Sequence, residues 1–185
     1  MAPAPLSGVL LLGGASERFG APKALARLGG ETLAERAHRA LAAACAEVLA
    51  VGKAADALPL PFPVLDDGAA DRAPVFGVIA GLRAATHDVC VVLPVDCPLV
   101  TPALLRALGE AVAVPASGPL PGAYERGLAA VLEERVARGE LSLRGVNPTA
   151  IAVDPVLLAD VDTPADLARL AGGVYGSGEG ERAAR

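Results

Sequence analysis

The sequence predicts a three-layer α/β/α protein in which helices cover both faces of a mostly parallel β-sheet. Short apolar segments alternate with helical segments along the chain, the pattern of parallel strands joined by crossover helices. The apolar segments are rich in Val and Leu and show no regular polar alternation, as expected of strands buried on both faces. The length of 185 residues fits one domain with a full core. We therefore expect a single domain over residues 1–171, with ligands bound beyond the carboxyl ends of its strands.

Local signals mark where the elements begin and end. Thr32 and Glu35 have the spacing of a capping box, and Thr101 followed by Pro102 has the order typical of a helix start. Gly139 marks a helix end. We predict strands over residues 7–12, 47–51, 63–65, 89–93 and 149–153, and helices over 33–44, 75–85, 102–112, 124–138 and 163–170. The segment 172–185 is rich in glycine and charge, so we expect it to form a disordered tail.

Composition and charge restrict the range of functions. The chain is 53% hydrophobic and carries a net charge of −5, which argues against general affinity for nucleic acid or an anionic membrane. Any phosphate binding must therefore be local. Three cysteines, Cys45, Cys90 and Cys97, suit a reducing cytoplasm rather than a disulfide framework. Residues 1–6 lack the pattern of a secretory signal, and no long apolar run marks a membrane span, so we expect a cytoplasmic protein.

The first predicted strand ends in a glycine-rich loop that carries two cations. Gly13 and Gly14 allow a tight turn with exposed peptide N–H groups, which commonly hold phosphate oxygens. Arg18 and Lys23 follow, and lysine occurs elsewhere only at Lys53 among 16 basic residues, which indicates that a compact point charge is required. The spacing fits neither a Walker A loop nor a dinucleotide fingerprint. The alternative is a plain turn with two surface cations.

Carboxylates follow two other predicted strands at the same edge of the sheet. Asp96 lies between Pro94 and Pro98, just beyond the strand over 89–93, and a carboxylate on such a stiff turn suits Mg²⁺. The alternative is an aspartate that closes the turn or caps the next helix. An acidic segment over residues 66–71 leads into the helix over 75–85.

These segments resemble a known family. The run Gly-Gly-x-x-x-Arg-x-Gly-x-x-Lys after the first strand is similar to the signature loop of nucleotidyltransferases such as the molybdenum cofactor guanylyltransferases, and Pro-x-Asp-x-Pro around Asp96 resembles their metal-binding segment. The segment 71–82 looks like their Asp followed by Gly-Pro-Leu-x-Gly-Ile-x-x-Gly-Leu, with Ala73, Val75 and Phe76 as departures. The resemblance covers about residues 9–170 and implies a Rossmann-like fold of the nucleotide-diphospho-sugar transferase type.

The resemblance also implies a reaction, the transfer of GMP from GTP to the terminal phosphate of molybdopterin with release of pyrophosphate. Arg18 would bind the β and γ phosphate oxygens, and Lys23 would meet charge that develops between the α-phosphate and the leaving group. Asp96 would hold Mg²⁺. The implied nucleotide-binding residues are Leu12, Gly13, Gly14, Lys23, Asp71 and Asp96. The resemblance further implies transient contact with other enzymes of the molybdenum cofactor.

Two carboxylates near the end of the chain leave open which nucleotide is bound. A capping box explains Thr163 and Asp166 but not Asp160 and Asp162, which lie on the same side of an extended segment. The segment is similar to the Asn-x-Asn-Thr-Pro ending of the guanylyltransferases, yet its aspartates resemble those of the cytidylyltransferase relatives. CTP is therefore an alternative nucleotide, and Asp162 is a second candidate metal ligand.

Three further points stay open at this stage. Asp66 or Asp67 could contact the nucleotide instead of Asp71. The segment over 112–118 is shorter than the corresponding part of the family, which leaves the acceptor unsettled. A nucleotide-binding module that has lost turnover is the alternative to an enzyme.

Overall fold

A mostly parallel sheet with helices on both faces organises the protein, as the sequence predicts. The computed structural model describes residues 4–13, 19–147 and 149–175. The elements in chain order are β1 (Ser7–Leu11), β2 (Arg27–Leu28), β3 (Glu31–Thr32), α1 (Leu33–Ala44), β4 (Glu47–Gly52), β5 (Val64–Asp66), α2 (Pro74–Ala84), β6 (Val89–Pro94), α3 (Pro102–Ala111), β7 (Val114–Pro115), β8 (Gly122–Glu125), α4 (Leu128–Ala137), β9 (Ala150–Ile151) and α5 (Pro164–Tyr175).

The main sheet places the first strand at its centre. Within the described part of the chain its order is β5-β4-β1-β6-β8, with β1 parallel to both of its neighbours and β8 antiparallel to β6. Because β1, β4, β5 and β6 all point the same way, the segments that follow them meet at one edge. This edge is where parallel sheets bind ligands.

Each face of the sheet buries its own layer of apolar side chains. Leu10 of β1 packs with the helices α1 and α3, through residues such as Leu41 and Leu105. Val9 of the same strand packs on the opposite side with α2 and α4. The residues of β1 are buried on both faces, which explains why the strand shows no polar alternation.

Helix α2 approaches β1 closely because glycines face the strand. A Cβ atom at Gly81 would lie 2.4 Å from Cγ1 of Val9, and one at Gly77 would lie 2.9 Å from Cδ2 of Leu11. Both distances are too short for a real side chain. The glycines therefore set the distance between this helix and the centre of the sheet.

The predicted starts of α1 and α3 are confirmed in atomic detail. Thr32 accepts the N–H of Glu35, and the Glu35 carboxylate accepts the N–H of Thr32, so the capping box of α1 is complete. Thr101 accepts the N–H of Leu104 at the start of α3. These bonds satisfy N–H groups that a helix leaves unpaired at its first turn.

The observed secondary structure differs from the predicted one in several segments. The helix expected from Tyr124 begins at Leu128, because Tyr124 is buried in β8 and pairs with Cys90 of β6. The last strand is only β9, which pairs with β7 outside the main sheet. The hairpin of β2 and β3 was not predicted, although a Gly-Gly turn joins it. Helix α5 runs to Tyr175, so the start of the expected tail is helical.

The rest of the expected tail, residues 176–185, lies outside the described residues. Within the described ranges, no helix combines the length and the apolar character needed to cross a bilayer.

Candidate active site

Three side chains that are distant in sequence converge at the carboxyl edge of the sheet. The Lys23 ammonium lies 2.7 Å from Oδ1 of Asp162 and 3.4 Å from Oδ2 of Asp96. The Lys23 side chain is 13% exposed, whereas those of Asp96 and Asp162 are 31% and 40% exposed. A largely buried cation is therefore held between two carboxylates that remain open to solvent.

The backbone fixes the two carboxylates from different elements. The N–H of Val95 donates to the carbonyl of Leu11, which extends the pairing of β1 and β6 up to the turn that carries Asp96. The N–H of Val161 donates to the carbonyl of Asp96 at 2.8 Å, and the Val161 side chain is fully buried. Asp162 therefore reaches the site because its neighbour is bound to the Asp96 turn.

The cap of α5 also orients this segment. The Asp166 carboxylate accepts the N–H groups of Asp162 and Thr163, and the N–H of Asp166 donates to the Thr163 hydroxyl. The predicted capping box is confirmed. It acts at the site indirectly, because it holds the backbone from which the Asp162 carboxylate projects.

The electrostatics keep Lys23 positively charged. Burial acts to lower its pKa, but the hydrogen bond that Lys23 donates to Asp162 and the charges of Asp96 and Asp162 outweigh burial, so the pKa is raised above its ordinary value. An ammonium held this way offers a permanent positive charge to a phosphate group.

The same oxygen atoms fit a divalent cation. Carboxylates are the hard ligands that Mg²⁺ prefers, and this pair already surrounds a positive group, the Lys23 ammonium. Across the part of the chain that the structure describes, no cluster of three or more His, Cys, Asp or Glu side chains could hold an ion. Two carboxylates would leave the remaining positions to phosphate oxygens and water, as is usual for Mg²⁺.

A cavity lies at the same edge of the sheet, between the ends of β1 and β4 and the start of α2. Its volume is about 160 Å³. The lining residues are Leu11, Gly13, Val51, Gly52, Lys53, Asp67, Arg72, Ala73, Pro74 and Gly77. Its walls combine apolar strand residues with charged side chains, and the first turn of α2 contributes Pro74 and Gly77.

Of the predicted nucleotide-binding residues in the described part of the chain, only Gly13 is among the residues that line this cavity. Gly13 lines it and is exposed, and a Cβ there would meet no atom within 4 Å. Leu12 is buried and its N–H donates to the carbonyl of Val51, so only its carbonyl is left for a ligand. Gly14 and Arg18 lie outside the described residues.

The three aspartates of the acidic segment over 66–71 have different positions and contacts. Asp67 lines the cavity, whereas the exposed Asp71 contributes its carbonyl to a hydrogen bond with Lys53. Asp66 accepts the N–H of Ala54. The choice among these carboxylates for nucleotide contact stays a prediction. Asp160 is exposed, and its charge acts on the Cys97 thiol next to Asp96.

Cys97 lies next to Asp96 but does not form a nucleophile. Burial and the adjacent Asp96 raise the pKa of its thiol, so the thiolate is disfavoured.

Lys53 and Arg72 are cavity residues that the sequence reasoning missed. Lys53 follows β4 in the same way that Asp96 follows β6, and lysine occurs only at Lys23 and Lys53. The scarcity of lysine was a signal for both positions. Arg72 gave no comparable signal, because 14 arginines are spread along the chain; its side chain pairs with Asp56.

Comparison with known proteins decides the family. The model of the MobA-like NTP transferase domain matches residues 8–146. The chain belongs to this family. It is therefore an enzyme of the nucleotidyltransferase type, which favours catalysis over the alternative of a module without turnover.

Individual relatives agree with this membership. A protein of Chloroflexus aggregans named as a probable molybdenum cofactor guanylyltransferase is 36% identical over 167 residues, which cover 81% of this chain and 80% of that protein.

Solved structures share the fold of the nucleotidyltransferase. The molybdopterin-guanine dinucleotide biosynthesis protein A of Archaeoglobus fulgidus superimposes with a TM-score of 0.76 at 22% identity, covering 91% of this chain and 98% of that one. A Mycobacterium tuberculosis protein, solved as a complex with manganese, matches with a TM-score of 0.61 at 25% identity, covering 90% and 98%. The predicted nucleotide-diphospho-sugar transferase type of fold is confirmed.

Proposed function

We propose that this nucleotidyltransferase transfers GMP from GTP to the terminal phosphate of molybdopterin, giving molybdopterin guanine dinucleotide and pyrophosphate. The observation that carries the proposal is the convergence of Lys23, Asp96 and Asp162 at the carboxyl edge of the sheet, the edge at which the ends of β1 and β4 line a cavity. The name of the Chloroflexus aggregans relative supports GTP as the nucleotide and the molybdenum cofactor as the acceptor.

The geometry favours one orientation of the nucleotide. The cavity between β1, β4 and α2 suits the nucleoside, because its apolar strand residues can cover a base while Asp67 and Arg72 offer polar contacts. The triphosphate would then run past the exposed backbone of Gly13 towards the Lys23 ammonium. The acceptor phosphate would approach from the side of Asp96 and Asp162.

Catalysis then depends on charge and position rather than on a covalent intermediate. Mg²⁺, when bound by Asp96 and Asp162, would neutralise charge on the phosphates; the manganese complex of the Mycobacterium tuberculosis relative supports a divalent ion. Lys23 would turn from its carboxylates to the bridge between the α-phosphate and the leaving pyrophosphate, where negative charge develops. Arg18 would hold the β and γ oxygens as a bidentate fork.

Pyrophosphate release from GTP, with molybdopterin and Mg²⁺ present, tests the proposal. We expect Lys23→Ala and Asp96→Ala each to lower turnover by about two to three orders of magnitude, as for loss of one electrostatic stabiliser. Arg83→Ala is the matched control, because this exposed cation lies in the last turn of α2, at the edge of the sheet opposite to the site. A variant that releases pyrophosphate at a near-normal rate removes its residue from the mechanism.

CTP remains a second candidate because Asp160 and Asp162 replace the asparagines of the guanylyltransferase pattern, and Asp162 lies in the site. Thermal shifts with GTP and with CTP, both in Mg²⁺, separate the two nucleotides. A larger shift with CTP would contradict the assignment to GTP. A cytoplasmic location and transient contact with other enzymes of the molybdenum cofactor stay predictions.

A further inference from the structure

Lys53 is held by one short segment on the far side of the cavity from Lys23. Its ammonium lies 2.7 Å from Oδ1 of Asp67, 2.5 Å from the carbonyl of Ala69 and 2.7 Å from the carbonyl of Asp71. The side chains of Lys53 and Asp67 are 10% and 9% exposed. The segment therefore wraps around a largely buried cation.

The number of these hydrogen bonds determines whether the Lys53 ammonium can also contact a ligand. A lysine ammonium has three N–H donors, and all three have acceptors within segment 67–71. None is left to recognise a base or a phosphate while these bonds persist. This distinguishes Lys53 from Lys23, whose partners Asp96 and Asp162 come from two segments distant from each other in sequence.

Other contacts connect Lys53 and segment 67–71 to the sheet and to α2. The same Asp67 oxygen accepts the N–H of Ala69, and the N–H of Asp67 donates to the carbonyl of Gly52. The Phe76 ring lies 5.8 Å from the ammonium, within the range of a cation–π contact. The segment is thus attached to β4, and its partner Lys53 also contacts the first turn of α2.

This segment forms one wall of the cavity. Lys53 and Asp67 both line it, together with Arg72 and Pro74, which directly follow the segment. A shift of the segment would move this wall relative to the opposite wall, which the end of β1 provides. The shape of the cavity therefore depends on the bonds to Lys53.

We propose that Lys53 is a positioning residue for nucleotide binding: its ammonium folds segment 67–71 and so sets one wall of the nucleotide cavity without contacting the nucleotide. The proposal rests on the proposed function in one respect, that a nucleoside triphosphate occupies this cavity. It assigns Lys53 to the affinity for nucleotide and leaves the chemical step to Lys23 and Asp96.

Lys53→Met tests this role because it keeps an unbranched side chain, shorter by only one heavy atom, and removes its donors. We expect the Kd and the KM for GTP with Mg²⁺ to rise about tenfold or more while kcat changes less than about threefold. Amide hydrogen exchange at residues 67–72 should become faster in the protein without nucleotide, because the segment loses its central partner. Asp67→Asn should change binding and exchange in the same direction by a smaller factor.

Arg83→Met is the matched control, since it removes an exposed ion pair with Glu133 on the α2 and α4 face and should alter none of these quantities. Unchanged exchange at 67–72 in Lys53→Met would overturn the proposal, as would a loss of kcat with an unchanged KM. If Lys53→Met does not fold, the Asp67→Asn comparison decides by the same criteria. Failure of the unaltered protein to bind GTP would contradict the proposed function instead, and the exchange measurement would still test Lys53.

Discussion

The two lysines of the chain occupy related environments at the carboxyl edge of the sheet. Lys23 donates to the carboxylates of Asp96 and Asp162, and Lys53 donates to Asp67 and to two main-chain carbonyls. A compact ammonium can donate in three directions at once, which a planar guanidinium cannot do in so small a space. This explains why a chain rich in arginine has lysine at these two positions.

The position of Lys23 between two carboxylates predicts coupling between metal and nucleotide. A divalent ion must compete with the Lys23 ammonium for Asp96 and Asp162, and a bound triphosphate relieves the competition by drawing the ammonium away. We expect GTP to raise the affinity for Mn²⁺ about tenfold or more, since that factor corresponds to only about 1.4 kcal/mol of coupling. Electron paramagnetic resonance of free Mn²⁺ measures this directly.

Variants of the same three residues separate the causes. Lys23→Met should bind Mn²⁺ more tightly than the unaltered protein when nucleotide is absent, because the competing charge is gone. Asp162→Asn should weaken Mn²⁺ binding both with and without GTP. Equal Mn²⁺ affinity of Lys23→Met and the unaltered protein would show that the ammonium does not compete with the ion.

Among the elements, α2 is the helix whose packing most directly affects the cavity. Gly77 lines the cavity and also faces Leu11, and Gly81 faces Val9 one turn further along. Both glycines belong to the segment 71–82 that resembles the family, and this segment lines the cavity at Ala73, Pro74 and Gly77. The structure adds that the glycines permit close approach to β1 as well, so the cavity and the core share one helix position.

Substitution of Gly81 should therefore destabilise the fold. The new Cβ of Gly81→Ala would lie 2.4 Å from Val9 Cγ1, and overpacking of this kind costs about 1 to 3 kcal/mol of unfolding free energy. Urea denaturation measures the change. The double variant Gly81→Ala with Val9→Ala should lose less stability than the sum of the two single variants, since the smaller side chain makes room for the methyl group.

Gly172→Ala is the matched control for the glycine substitution. It lies in α5, where a Cβ would meet no atom within 4 Å, so the helix propensity of alanine should leave stability unchanged or raise it. Equal stability of Gly81→Ala and the unaltered protein would mean that α2 can move away from β1 at little cost.

The short elements at the end of the chain contribute a residue to the site. The family model ends its match at residue 146, yet Asp162 lies beyond that point and contacts Lys23. The bond from the Val161 N–H to the Asp96 carbonyl and the cap of α5 bring this segment back to the sheet. The site is therefore complete only when the C-terminal segment brings Asp162 beside Lys23.

At the scale of the whole molecule, the sheet has a functional edge and a structural edge. At the amino ends of β1 and β4, Glu47 accepts hydrogen bonds from the hydroxyl groups of Ser7 and Thr86 and from the N–H of Thr86. Ser7 in turn accepts the N–H of His87. This network joins the two strands to the loop before β6, on the edge opposite to Lys23.

The network makes stability depend on pH. Burial acts to raise the pKa of Glu47, but the hydrogen bonds from Ser7 and Thr86 outweigh it and the pKa is lowered from its ordinary value of 4.5. A carboxylate with a lowered pKa in the folded state stabilises that state above the unfolded pKa, and its contribution is lost as the pH falls through the folded pKa. Acid should therefore weaken the structural edge.

We expect Glu47→Gln to lower the free energy of unfolding by about 1 to 2 kcal/mol near neutral pH, and the difference from the unaltered protein to shrink below the unfolded pKa of Glu47. Thermal or urea unfolding over a range of pH measures this dependence. Glu110→Gln, at an exposed position of α3, is the control and should show neither effect. A difference that persists unchanged into acid would show that the charge of Glu47 is not its cause.

The sequence by itself determined the features that depend on neighbouring residues and on the general rules of parallel sheets. It gave the order of β1, α1, β4, α2, β6 and α3, the caps at Thr32, Thr101 and Thr163, and the meeting of Lys23 with Asp96 at one edge. Caps and apolar runs are local in the chain, and the ends of parallel strands must meet wherever such strands are adjacent.

Only the tertiary structure decided the features that depend on pairing between distant segments. Tyr124 follows a pattern that predicts a helix, yet pairing with β6 and burial against α2 and α4 make its segment a strand. The three acceptors of Lys53 include two main-chain carbonyls. Every residue has such a carbonyl, so the residue types at these positions do not reveal the contact. The contact of Asp162 with Lys23 likewise spans 139 positions, and no local pattern encodes a contact that only the folded backbone creates.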